Sequence, residues 1–152
     1  MKKNFKIISG GQTGVDRGAL DFALESGVPA GGYCPKGRLA EDGPIPLKYP
    51  LKEMKSPRYE ERTEFNVRKS DGTLIVVRGK LRGGTAYTLR MAKKWQKPIF
   101  IFDLDSPSGP EKFSQWLLQE KVKILNIAGP RESQCPGIYR ETINMLNNLL
   151  SA

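Results

Sequence analysis

Histidine is absent from this chain of 152 residues. Without an imidazole there is no Ser-His-Asp triad, no Cys-His pair and no His-ligated zinc, so the usual neutral-pH general base and a common metal ligand are both excluded. Cysteine is nearly absent. Cys34 and Cys135 stand far apart and form no CxxC, which argues against a zinc ribbon or a dithiol redox centre and fits a reduced, cytoplasmic chain. Long apolar runs are missing as well. The start, MKKNFKIISGG, is basic, but its apolar run is too short for a secretory signal core. Nothing later approaches the roughly 18 apolar residues of a membrane span, so no membrane partner is expected. Acidic residues are the minority charge. Sixteen Asp and Glu against 25 Lys and Arg leave a net charge of +9, which favours anionic partners: nucleotides, phosphorylated cofactors or nucleic acid. Any chemistry falls to carboxylates, Lys, Tyr, Cys or the ligand itself.

What is present is an alternation of strand and helix signals long enough for one domain, 1–152, with a real core. Phe5 to Ser9 reads as a buried strand, and Val15 to Ser26 as an amphipathic helix stopped by Gly27. Val28 to Tyr33 is a weaker strand. It leads into CPKGRLAEDGPIPLKYPL, a long loop rich in Pro and Gly. A polar helix is expected over Tyr59 to Ser70, and Thr73 to Val77 is a β-branched run of the kind found in central parallel strands. Gly83-Gly84 opens a helix reaching Trp95, Pro98 to Phe102 forms a strand and Pro110 to Lys121 a helix. Ile124 to Ala128 is a last strand, and Pro136 to Leu150 a closing helix. This order predicts an α/β fold: a Rossmann-like three-layer sandwich around a parallel sheet of about five or more strands.

In such sheets ligands bind outside the carboxyl ends of the strands. The first strand delivers Gly10, Gly11, Gln12, Thr13, Gly14 and Arg17 to that edge; the second delivers Cys34, Pro35, Lys36 and Gly37. The third delivers Arg78, Gly83, Gly84 and Thr85, the fourth Asp103 and Asp105, and the fifth Gly129, Pro130, Arg131, Glu132 and Ser133. The polar helix starts near the same edge and brings Arg62 and Thr63 close. The glycine-rich turn IISGGQTGVDRGAL before a helix N-terminus is an anion seat, since glycine admits backbone N–H groups to a ligand and the helix adds partial positive charge. It is neither of two familiar phosphate motifs. Glycines at 10, 11 and 14 do not make GxGxxG, and no acidic residue follows the second strand to hold a ribose, so NAD is not expected. No Gly-Lys-Ser/Thr follows at Walker spacing. Gly83-Gly84-Thr85 repeats the design, and Lys36, Arg78 and Arg131 would offset anionic oxygens. Alternatives stay open for several groups. Cys34 reads as a sulfur or metal contact or as a small buried hydrophobe, Asp16 and Arg17 as helix-start electrostatics, and Glu41 and Asp42 as cation ligands or as part of a solvated loop.

Two resemblances follow from these motifs. RGGTAYT resembles the PGGxGTxxE signature of cytokinin-activating phosphoribohydrolases, but Ala86 to Leu89 supply no counterpart to its glutamate. The set GGQTGVDRGALDFA, CPKGRLAEDGPIP with YPL, RTEFNVRKSDGTLIV, RGGTAYT and GPRESQCPGIY, spread over nearly the whole chain, resembles the molybdenum carrier family. That family lies within the Rossmann-like SLOG and lysine-decarboxylase-like superfamily. The resemblance implies a non-catalytic carrier of molybdenum cofactor (molybdopterin), a pterin bearing a phosphate and a dithiolene-held metal. The phosphate would take Gly10 to Gly14 and Gly83 to Thr85, with Asp103 or the backbone of Pro130 to Ser133 reading the pterin edge. It also implies molybdoenzymes as recipients and a homo-oligomer, dimer or tetramer. Two other function classes compete: a nucleoside-monophosphate phosphoribohydrolase-like enzyme, and a nucleic-acid-binding module drawing on the positive charge.

Overall fold

The computed structural model describes residues 4–150. The outermost residues of the expected 1–152 domain, with the basic Lys2 and Lys3, lie outside the described part. In chain order the elements are β1 (Lys6–Ile8), α1 (Val15–Ser26), β2 (Ala30–Gly31), β3 (Tyr33–Cys34), β4 (Leu39–Ala40), β5 (Gly43–Pro44), β6 (Lys52–Glu53) and α2 (Tyr59–Lys69), followed by β7 (Gly72–Val77), α3 (Gly83–Lys94), β8 (Ile99–Asp103), α4 (Pro110–Gln119), β9 (Ile124–Ala128) and α5 (Ile138–Leu150). Five of the strands form one parallel sheet in the order β2-β1-β9-β7-β8. Right-handed crossovers place α1, α4 and α5 on one face and α2 and α3 on the other. This is the Rossmann-like sandwich that the alternating pattern predicts.

The strand order carries more than the pattern shows. If the sheet strands are renumbered to begin at β9 and continue through β1, β2, β7 and β8, their order becomes 3-2-1-4-5, that of a doubly wound nucleotide-binding sheet. The strand that would start such a fold stands here at its end. Direction reverses beside that strand, so the crevice for a ligand lies between the carboxyl ends of β9 and β7.

Burial on both faces explains the sequence of β7, in which all six residues from Gly72 to Val77 are buried. Below it, α4 packs an aromatic cluster. Phe113, fully buried, meets Phe100 edge-on at 5.3 Å between ring centroids and stacks near Trp116 at 5.8 Å. Replacing Phe113 by Leu keeps an apolar side chain but loses part of this contact, and is expected to cost about 1.5 kcal/mol. Urea unfolding would show it as a lower midpoint with an unchanged slope; an unmoved midpoint would mean that the cluster adds no stability.

Two expectations are corrected. The single strand over Val28 to Tyr33 is divided: β2 joins the main sheet, whereas β3 leaves it to pair with β6. Gly32 makes the break. Its φ is +127°, and a Cβ there would sit 2.1 Å from the carbonyl oxygen of Ser9, so only glycine lets the chain turn off the sheet against β1. The long loop is not structureless either. It forms the β3–β6 ladder and a β4–β5 hairpin around Arg38, whose guanidinium donates to the carbonyls of Ile45, Pro46, Tyr49 and Leu51 at 2.8–3.3 Å. One side chain with five donors thus satisfies carbonyls in a segment that prolines keep out of regular ladders. Ile45, Tyr49 and Leu51 then close with Leu20 and Cys34 into a second apolar cluster.

Candidate functional site

At the switch point between β9 and β7 the structure holds a cleft of about 250 Å³. Ala128 and Gly129 enter it from the end of β9, Gly83, Gly84, Thr85 and Thr88 from α3, and Tyr59, Arg62 and Thr63 from α2. Gln12 and Asp16 come from the first turn and α1, and Arg131 and Gln134 from the segment after β9. Its volume is at the lower end for small-molecule pockets, so it suits a small ligand or one end of a larger one.

The start of α3 is prepared for an anion. No side chain caps it and its first turn contains no acid; the Thr85 N–H donates to the Arg82 carbonyl, which leaves the N–H groups of Gly83 and Gly84 and the helix dipole to meet the cleft. Facing it is Arg62, only 12% exposed at its side chain, with its buried Nε lacking any hydrogen-bond partner. The absence of a side chain at Gly10 makes room for it, since a Cβ there would fall 2.0 Å from Nη1. Asp16 is the partner of Arg62, Oδ2 to Nη1 at 3.4 Å, and also accepts the Gln12 N–H at 3.1 Å. Burial pushes the Asp16 carboxyl above the ordinary carboxylate value, and Arg62 offsets only part of that rise. One long contact is too little to repay the desolvation of both charges.

The β4–β5 hairpin folds over the rim. Its Glu41 carboxylate accepts the Thr13 hydroxyl, the Ser133 hydroxyl and, at 3.2 Å, the Ser133 N–H, with Arg131 Nε 3.5 Å away. The Glu41 N–H in turn donates to Gln12 Oε1 at 2.8 Å. Partial burial works to raise the Glu41 pKa, but the hydrogen bonds from Ser133 and Thr13, with the Arg131 charge, hold it below the usual value. Beside it, Asp42 forms a two-point ion pair with Arg17.

Residues 7–150 match the circularly permutated YpsA SLOG family. The chain belongs to that family. The sheet order, with the central strand placed last in the chain, is consistent with the permutation in that name. A solved structure from Syntrophus aciditrophicus SB, named "Putative molybdenum carrier protein", is 48% identical, covers 95% of this chain and 94% of its own, and superposes with a TM-score of 0.91. No curated protein matches the chain.

The structure of this SLOG-family chain brings eight of the residues expected at the ligand edge into the cleft: Gln12, Arg62, Thr63, Gly83, Gly84, Thr85, Gly129 and Arg131. Thr13 and Ser133 stand at its rim under Glu41. The other glycines of the opening turn have packing tasks, Gly11 against Ile45 and Leu51 and Gly14 against the backbone of Pro130 to Glu132. Arg17 is engaged by Asp42 and by the Gly11 carbonyl. Glu132 caps the approach to α5 by accepting the N–H groups of Gly137 and Tyr139.

Five further expected residues are not brought to the cleft. Cys34 lies fully buried in the second apolar cluster, where burial pushes its thiol up. Lys36 and Gly37 sit on the outer loop, the Gly37 N–H bonding Glu53 at 2.7 Å. Arg78 bridges Asp105 and Glu141, while Asp103 accepts the N–H groups of Gly79 and Asp105. Those acids compensate the charge that Arg78 would bring. Among the described residues, no group of three His, Cys, Asp or Glu is placed to hold a metal, and no helix is long and apolar enough to cross a membrane. The sequence reading missed Tyr59, Thr88 and Gln134, which line the cleft, because none belongs to a glycine-rich turn. Glu41 and Asp42, open in the sequence as cation ligands or as part of a solvated loop, are each anchored, Glu41 by Thr13 and Ser133 and Asp42 by Arg17.

Proposed function

We propose that the cleft binds a phosphorylated small molecule, molybdenum cofactor being the best candidate, and that the chain carries it without turnover. The observation that carries this reading is the uncapped, acid-free N-terminus of α3 facing the unused donors of Arg62. A phosphate would lie between Gly83-Gly84-Thr85 and that guanidinium, where charge-assisted bonds are strongest. The remaining groups fit a polar ring: Gln12, Gln134 and Thr63 offer amide and hydroxyl groups, and the ionised Asp16 carboxylate, an acceptor, suits an edge of adjacent N–H donors. No thiol reaches the cleft, so the cofactor's own dithiolene would keep the metal. The name of the 48% identical relative points the same way.

Anaerobic purification followed by denaturation, metal analysis and mass spectrometry tests the proposal. Molybdenum and oxidised pterin near one per chain are expected; a nucleotide without metal would overturn the cofactor assignment. A substitution isolates the anion seat. A Cβ at Gly84 would enter open space, so Gly84→Asp adds a carboxylate to the first turn of α3 without a clash. The helix should gain about 0.3–1 kcal/mol, while affinity for a phosphorylated ligand falls at least about tenfold through like-charge repulsion. Unchanged affinity measured by calorimetry would remove the α3 terminus from the site.

One observation favours a second reading. Asp16 is a buried carboxylate with a raised pKa inside the cleft, the environment of a general acid. It could replace the glutamate absent from Ala86 to Leu89 in hydrolysing a nucleoside monophosphate. Free base released from such substrates, and lost in Asp16→Asn, would decide for the enzyme.

A further inference from the structure

Glu41 is bound as a ligand would be. Its carboxylate takes two hydroxyls, one backbone N–H and the flank of a guanidinium, all from two segments on the far side of the cleft rim. Those donors are the kind that hold a phosphate or another tetrahedral oxyanion, and none comes from the hairpin that carries the glutamate. Arg131 Nε lies 3.5 Å from the carboxylate as an ion pair but makes no hydrogen bond, so the seat keeps a buried N–H that the planar carboxylate does not satisfy. Arg131 and Gln12 also line the main cleft, which makes the two spaces contiguous.

We propose that Thr13, Arg131 and Ser133 form an oxyanion subsite that Glu41 holds as an internal competitor, so that a ligand's second anionic group enters by displacing the Leu39–Pro44 hairpin. The main cleft takes one end of the ligand and this subsite the other. The proposal rests on the binding function proposed above but not on molybdenum cofactor as its cargo. Displacement also breaks the Gln12–Glu41 contact, so occupancy of the rim is reported to Gln12 within the cleft. On its other side the hairpin is held by the two-point ion pair of Asp42 with Arg17, whose side chain is only 11% exposed, so this pair is the pivot about which the hairpin swings.

Inorganic phosphate, followed by amide NMR, is the test. Glu41→Gln removes the competing charge and is expected to tighten phosphate binding at the Ser133 amide about tenfold over wild type. Arg131→Gln added to Glu41→Gln should abolish that gain. In the wild-type chain, which needs no variant to fold, saturating phosphate should speed hydrogen exchange at the amides of Leu39 to Gly43. Equal phosphate affinity in wild type and Glu41→Gln, or hairpin exchange that slows or stays constant when the Ser133 amide shifts, would overturn the exchange. If the competition is found but the purified protein carries no molybdenum, the cargo assignment falls and the subsite stands.

Discussion

Arg62→Gln is expected to lower stability at pH 7 by about 3–5 kcal/mol, because it leaves the buried Asp16 carboxylate without its counter-charge. The loss should shrink as pH falls. Asp16 has a folded-state pKa already raised above its unfolded value of 3.8, so between those two values the folded chain binds a proton that the unfolded chain does not. Stability in that window increases as pH decreases. Removing Arg62 takes away the largest influence that lowers the folded value, which extends the window upward. Urea titrations at pH 7.5 and 5 should therefore show a much smaller difference between variant and wild type at the lower pH. An equal loss at both would mean that Arg62 acts by packing rather than by charge. The same variant should lose phosphate affinity, since the guanidinium is the only cation α2 contributes to the cleft.

Gly14→Ala is expected to cost about 4 kcal/mol, or on the order of 10 °C in Tm for a chain of this size. Gly14 has φ +79°, and its new Cβ would fall 2.5 Å from the Pro130 carbonyl oxygen and 2.7 Å from the Glu132 nitrogen. Those are backbone atoms, so no rotamer change relieves the contact. The first turn and the segment after β9 would be forced apart, weakening the Val15 N–H bond to the Pro130 carbonyl, 3.2 Å long, and the Thr13–Glu132 bond, 3.1 Å. Gly84→Ala is the control: with open space around it, it should be neutral or stabilising by up to about 1 kcal/mol. Calorimetric scans showing equal Tm for the two variants would refute the close packing at Gly14.

These two positions show what the sequence discloses. Gly14 is legible as special because glycine spacing before a helix departs from chance, but its task, packing against Pro130 to Glu132, is a contact across more than a hundred residues that no local pattern encodes. The sheet was legible for the same reason α1 was: Val15 to Ser26 with Gly27 behind it is a complete local message, with the cap N–H of Gly27 bonding the Ala23 carbonyl. Arg62 and Thr63 could be placed near the ligand from helix direction alone. Arg78 could not be excluded that way, because the acids that occupy it, Asp105 and Glu141, come from two other elements. The hairpin over residues 39–44 escaped for a similar reason, since Arg38 orders it through carbonyls, and carbonyls have no signature in a sequence.

The strand order also bears on how the chain comes together. β1 and β7 do not touch in the sheet; β9 lies between them and pairs with both. During synthesis β2-β1 and β7-β8 emerge as separate pairs, each with an open parallel edge, and two-stranded units are marginal by themselves. Ile124–Ala128, the last of the five central-sheet strands to leave the ribosome, joins them. The contacts of β9 and α5 with both pairs must then form together, so a nascent chain halted before residue 124 would expose two unsatisfied edges and need a chaperone more than the finished protein does.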